Sequence, residues 1–136
     1  MPMTPSEKTY TPIYASLKDC CLSSALKELK EGAVQARASF VFPETFSAFA
    51  GHFPDHSVLP AVVQLTTVRH ISEQALGFAL QLRAYGRIKF SGAILPGEEV
   101  EIEVRLTPEE ELYHGEFTVK KEGKSVSNGS CDFSKS

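Results

Sequence analysis

The sequence predicts an α+β domain in which an antiparallel sheet wraps around one long helix. Three observations carry this. The stretch from Pro60 to Leu76 has apolar residues at helical spacing, with Ala61, Leu65, Val68, Ile71 and Ala75 along one stripe and Val62, Val63 and Leu76 broadening it. One segment before it and four after it alternate with period two, the mark of half-buried strands. No repeat or low-complexity tract interrupts the 136 residues, a length that suits one domain with a core of its own.

Residues 1–14 read as an N-terminal arm and 15–136 as the domain. Ser16 to Leu29 has Leu17, Cys21, Leu22, Ala25 and Leu29 at mixed three- and four-residue spacings, which predicts a short amphipathic helix ended by Glu31-Gly32. From Ala33 to Phe42 the period becomes two, with Val34, Ala36, Ala38, Phe40 and Phe42 on one face. Pro43 ends this strand, and Phe46 to Ala50 fits one helical turn. Pro54 and Pro60 forbid a regular element over residues 51–60, but Pro60 suits the first position of the long helix and Gly77 its end.

After the helix, Gln81 to Ala93 alternates Leu82, Ala84, Gly86, Ile88 and Phe90 against Gln81, Arg83, Tyr85, Arg87 and Lys89. Leu95-Pro96-Gly97 is a turn. Val100, Ile102, Val104 and Leu106 alternate with Glu99, Glu101, Glu103 and Arg105. Tyr113 to Val119 forms another strand, and Glu122-Gly123 turns into the last, Ser125 to Phe133. Strand, buried helix and four successive strands make the hotdog arrangement, one sheet face packed on the helix and the other in solvent.

Composition narrows the function. A net charge of −3 argues against general nucleic-acid binding, and no run is long enough for a membrane span. The N-terminal segment lacks the apolar run of a signal peptide, and the three cysteines, two of them adjacent, make a poor disulfide framework. A cytoplasmic location is expected. His52 and His56 have the spacing of a helical metal pair, but Pro54 lies between them, so no metal site is expected.

The run Phe49-Ala50-Gly51-His52-Phe53-Pro54-Asp55-His56-Ser57-Val58-Leu59-Pro60-Ala61-Val62-Val63-Gln64-Leu65 resembles the signature of bacterial 3-hydroxyacyl-acyl-carrier-protein dehydratases, nearest to the branch that serves aryl-polyene and related pathways. Lys89-Phe90 with Ile94-Leu95-Pro96-Gly97-Glu98 supports the register, so the resemblance covers about residues 30 to 133. It implies reversible dehydration of a 3-hydroxyacyl thioester, on acyl carrier protein or coenzyme A, without a cofactor, in a site shared by two subunits of a homodimer or higher even oligomer. His52 takes the position of the base. The helix N-terminus at Ala61 takes that of the carbonyl-polarising N–H, and Gly51, Phe53, Pro60, Ala61 and Val62 take substrate-binding positions.

The family's carboxylic acid position falls at Thr66, whose hydroxyl is not acidic at neutral pH. The next acid on the helix is Glu73. His70, one turn beyond Thr66, is a candidate substitute because a protonated imidazole can donate a proton near neutral pH. Asp55 and His56 sit in the turn itself. The missing carboxylate supports a second function, a non-catalytic relative that binds acyl chains or their carrier; a thioesterase is a third, and Thr66 counts against it too, because that reaction usually wants a carboxylate on this helix to activate water. Arg69 and His70 interrupt the apolar helix either as its wetter edge or as part of a site. Arg83, Arg87 and Lys89 form either a solvated face or a docking strip for an acidic carrier protein.

Overall fold

The computed structural model describes residues 14–46, 49 and 58–136. Residues 14–20 are helical (α1). Then come β1 (Cys21–Glu28), a single 3-10 turn (Lys30–Gly32), β2 (Val34–Val41), α2 (Ala61–Leu76), β3 (Leu80–Phe90), β4 (Glu99–Glu109), β5 (Leu112–Lys121) and β6 (Lys124–Lys135). The strands form one antiparallel sheet in the order β1-β2-β4-β5-β6-β3. α2 packs on β2, β4 and β3, so the sheet wraps the helix as a hotdog fold.

The inner face follows the alternation of the sequence. Val100, Ile102, Val104 and Leu106 of β4 are all but fully buried, as are Ala36, Ala38 and Phe40 of β2 and Phe117 and Val119 of β5. On the outer face Arg37 donates to Glu103 at 2.7 Å and lies 3.8 Å from Glu101, so part of the acidic row on β4 is paired across strands. α2 begins after Pro60 and ends at Gly77, which takes the left-handed conformation expected of a C-terminal stop. Gly97 and Gly123 also have positive φ, at 83° and 78°, in the two turns where the sequence placed them.

Two expectations are corrected. The helix over Ser16–Leu29 is instead the end of α1 followed by β1, which pairs with β2 from Cys21 to Glu28. β1 is an edge strand with nearly every residue exposed, so no alternation betrays it. The open edge of β2 supplies backbone partners, and tertiary pairing overrides a weak helical spacing.

The simple alternation of β3 also fails. Its register against β6 shifts between Leu82 and Ala84 and again between Gly86 and Lys89, and Arg87 has φ +46°. These bulges put Ala84 and Gly86 opposite the outer-face residues Asp132 and Ser130, while Tyr85 pairs with buried Cys131 and joins Leu82 on the helix side. Glycine is favoured at position 86 by contact, since a Cβ there would lie 2.5 Å from the Ser130 hydroxyl.

Candidate active site

A buried polar contact helps to hold α2 in rotation. Gln64 is buried, and its Oε1 accepts a hydrogen bond from the Ser127 hydroxyl of β6 at 2.9 Å. Its entry is held by another. Buried Leu59 donates its N–H to the Ile94 carbonyl at 2.8 Å, and the turn after Ile94 is tied to β2 by Gly97 N–H to Phe42 O at 2.9 Å. The helix N-terminus therefore stands at a fixed place on the sheet.

At that terminus Ala61 and Val62 are exposed. The first hydrogen bond into Pro60 O comes from Val63 N–H at 3.0 Å, so the N–H groups of Ala61 and Val62 precede the intrahelical ladder. They and the helix dipole suit an oxygen that gains negative charge. Pro60 is half-buried and supplies the cap carbonyl.

Val62, Leu65, Thr66 and Arg69 form one stripe of α2 that lines a slot of about 200 Å³, closed on the other side by Leu82 and Tyr85 of β3 and Cys131 and Phe133 of β6. Thr66, where the resemblance places the family acid, therefore faces a cavity. Its hydroxyl donates to the Val62 carbonyl at 2.8 Å, so its proton is committed to the helix backbone while its oxygen can still accept. No carboxylate lines the slot among the described residues.

His70 is placed differently. It is buried beside Tyr14, with ring centroids 5.4 Å apart in an edge-on arrangement, and is not part of the slot lining. Burial pushes its pKa below the ordinary histidine value, which holds the ring neutral near neutral pH and makes it a poor proton donor. Its Nε2 and the Tyr14 hydroxyl are both buried without a hydrogen-bond partner among the described residues. Arg69, in contrast, lines the slot, and its guanidinium sits 4.8 Å over the Tyr14 ring. Tyr14 was assigned to the N-terminal arm, and nothing in the sequence pattern pointed to this contact. Arg69 had a signal: it is the one charge in the stripe Val62, Leu65, Thr66, Arg69.

Gly51, His52, Phe53, Asp55 and His56 lie outside the described residues, as does most of the turn expected at Phe46–Ala50. Arg83, Arg87 and Lys89 are exposed on β3, an edge strand of the sheet among the described residues. Arg87 opens onto the outer face with Glu116 and Asn128, and Lys89 pairs with Asn128 on that face. Cys20, Cys21 and Cys131 are free thiols, and burial raises the Cys131 pKa to about 11, so that sulfur is inert. Among the described residues no group of His, Cys, Asp and Glu could hold a metal, and no helix is long and apolar enough to cross a membrane.

The fold is the hotdog fold, and comparison with known proteins narrows the class. Residues 28–130 match the ApeI-like family, described as ApeI dehydratase, and the chain belongs to that family. It is 30% identical over 94 residues to the 3-hydroxyacyl-[acyl-carrier-protein] dehydratase FabZ of Granulibacter bethesdensis, an alignment that spans 62% of this chain and 55% of that protein. It is 26% identical over 120 residues to FabZ of Clostridium perfringens, covering 82% and 85%. Among solved structures, the dehydratase heterocomplex ApeI:P from Xenorhabdus doucetiae superposes with a TM-score of 0.68 at 18% identity, over 85% of this chain and 96% of that one. The fluoroacetyl-CoA-specific thioesterase FlK (F36A mutant) gives 0.61 at 14%, over 74% and 83%.

Proposed function

We propose that this protein catalyses the reversible dehydration of a 3-hydroxyacyl thioester carried on acyl carrier protein or coenzyme A. The observation that supports the reading most is continuity. The Gly51-His52-Phe53-Pro54 motif stands six residues ahead of a helix whose first N–H groups are open among the described residues and whose next turns line an acyl-sized slot. In this reading the thioester carbonyl sits at the Ala61 N–H, flanked by Pro60 and Val62, with Gly51 and Phe53 shaping the approach. His52 removes the proton next to the carbonyl. The negative charge that develops on the carbonyl oxygen is held by the helix N-terminus, and the His52 imidazolium returns the proton to the 3-hydroxyl, which leaves as water. Thr66 orients the leaving hydroxyl by accepting its hydrogen bond.

The second subunit is proposed to add along the free edge of β3, where Tyr85 and Phe90 are exposed beside Val62. It is a second copy of this chain or, as in the ApeI:P heterocomplex, a different dehydratase subunit. Arg83, Arg87 and Lys89 flank the site on this strand and suit the approach of an acidic carrier protein to a cytoplasmic enzyme.

One observation favours a second reading. The slot offers a backbone-bonded threonine where the family places an acid, so the chain could bind acyl thioesters without turning them over. Assay of the purified protein on 3-hydroxyacyl and 2-enoyl thioesters separates the two. Turnover that disappears in His52→Ala supports the enzyme; thioester binding without turnover supports the binding protein. Release of free thiol would instead identify a thioesterase.

A further inference from the structure

The slot departs from an apolar acyl channel in one respect. Arg69 is half-buried in its wall and makes no ion pair among the described residues. Its guanidinium is held over the Tyr14 ring at 4.8 Å, a contact that positions the cation without neutralising it. A carboxylate at position 66 would lie one turn away, at the i, i+3 spacing that favours a salt bridge, and would cancel it. Thr66 does not. Its proton is spent on the Val62 carbonyl, and its oxygen leaves the guanidinium free. The two features act in one direction: the slot keeps a positive charge that a carboxylate at position 66 would have neutralised.

Desolvating a guanidinium without a partner is costly, so a ligand that supplies an anion there gains more than it would on an open surface. The position of the cation sets what that ligand is. Arg69 lies eight residues beyond Ala61, about 12 Å along the helix axis. A thioester carbonyl at the helix N-terminus would place the far end of a medium-length acyl chain beside Arg69, past Leu65, Leu82 and Phe133.

We propose that Arg69 makes this slot a receptor for acyl thioesters whose chain ends in a carboxylate or comparable anionic group, in preference to plain alkyl chains. This rests on the acyl-thioester reading above, and the test separates the two. Octanoyl-CoA and suberoyl-CoA, the same chain ending in a carboxylate, are titrated by calorimetry into the wild-type protein, Arg69→Met and Thr66→Glu. Met keeps the apolar stem of the side chain, and the new Glu is placed to pair with Arg69.

Suberoyl-CoA is expected to bind the wild type at least ~10-fold more tightly, as one charge-assisted contact provides. Both variants are expected to lose that preference. Octanoyl-CoA binding equally well or better in the wild type overturns the inference and leaves the acyl-thioester reading standing; failure of both ligands to bind overturns both. Sedimentation of Arg69→Met is the control for structure. A variant that dissociates into smaller species and keeps its suberoyl preference would make Arg69 an interface cation and end the proposal.

Discussion

The Ser127 hydroxyl donates to Gln64 Oε1 at 2.9 Å, and this buried bond between β6 and α2 decides which stripe of the helix faces the slot. Both partners are almost without solvent contact. Ser127→Ala leaves the Gln64 amide oxygen buried and unpaired, and is expected to cost ~1–3 kcal/mol of stability. Gln64→Leu combined with Ser127→Ala removes both polar groups and should recover much of that loss. Chemical denaturation of the two single variants and the double variant measures it; additive single effects would show that the two side chains do not act as a pair.

His52→Ala is expected to lower dehydration of a 3-hydroxyacyl thioester by ~10²-fold or more while changing the melting temperature little. Steady-state kinetics beside a thermal melt checks this. Equal rates in the two proteins would remove His52 from the mechanism.

Thr66→Glu is expected to raise dehydratase activity, by up to ~10²-fold, if the reaction lacks only a general acid. The carboxyl would be partly desolvated in the slot and would keep its proton more readily than usual, which suits an acid, although Arg69 nearby opposes this. A folded Thr66→Glu without rate gain, together with an active wild type, would locate the proton donor elsewhere.

Two histidines should make stability depend on pH in opposite directions. The His114 Nδ1–H donates to Asp132 Oδ1 at 2.8 Å, and that bond raises the histidine pKa above the ordinary value of about 6.5. Its stabilisation is present below that value and is lost as pH rises through the folded pKa. Burial lowers the pKa of His70, so its contribution is intact above about 6.5 and is lost as pH falls toward the folded value. Stability measured across this range should fall less on the acid side in His70→Phe and less on the neutral-to-basic side in Asp132→Asn. An unchanged profile in both variants would contradict these shifts.

Self-association through β3 is expected to strengthen with salt. Any two-fold pairing about the middle of the strand brings Arg83, Arg87 and Lys89 of one copy against those of the other, with no acid on the strand to offset them. Sedimentation at low and high ionic strength measures this, and association that weakens with salt would point to a different interface.

The elements that read well were those whose surroundings are uniform. β4 is flanked by strands on both sides and covered by the helix, so its alternation maps directly onto burial. α2 touches the sheet along most of its length, and Pro60 and Gly77 mark its ends. β1 was missed because an exposed edge strand imposes no pattern on its side chains. The face of Tyr85 was misread because the bulges come from backbone strain and cross-strand contact, such as Gly86 against Ser130, rather than from polarity. In the site, the slot-facing position of Thr66 was legible from motif spacing. The burial of His70 under Tyr14 was not, because it depends on a segment distant in sequence.

The order of the strands carries a consequence for biosynthesis. β3 is made before β4 and β5, yet its only strand neighbour among the described residues is β6, which ends at Lys135. On the ribosome β3 emerges with nothing to pair with, and it waits until the last residues of the domain are released. Closing that long loop carries an entropic cost that local pairings do not. The edge proposed to join subunits thus does not exist on a nascent chain. Its bare Tyr85 and Phe90 are flanked by Arg83, Arg87 and Lys89, charges that guard an unpaired strand against sticking to its neighbours during the delay. On the proposed interface assembly follows synthesis, and a chain cut short at the start of β6, before Ser127, would be left with β3 unanchored and no edge to offer a partner.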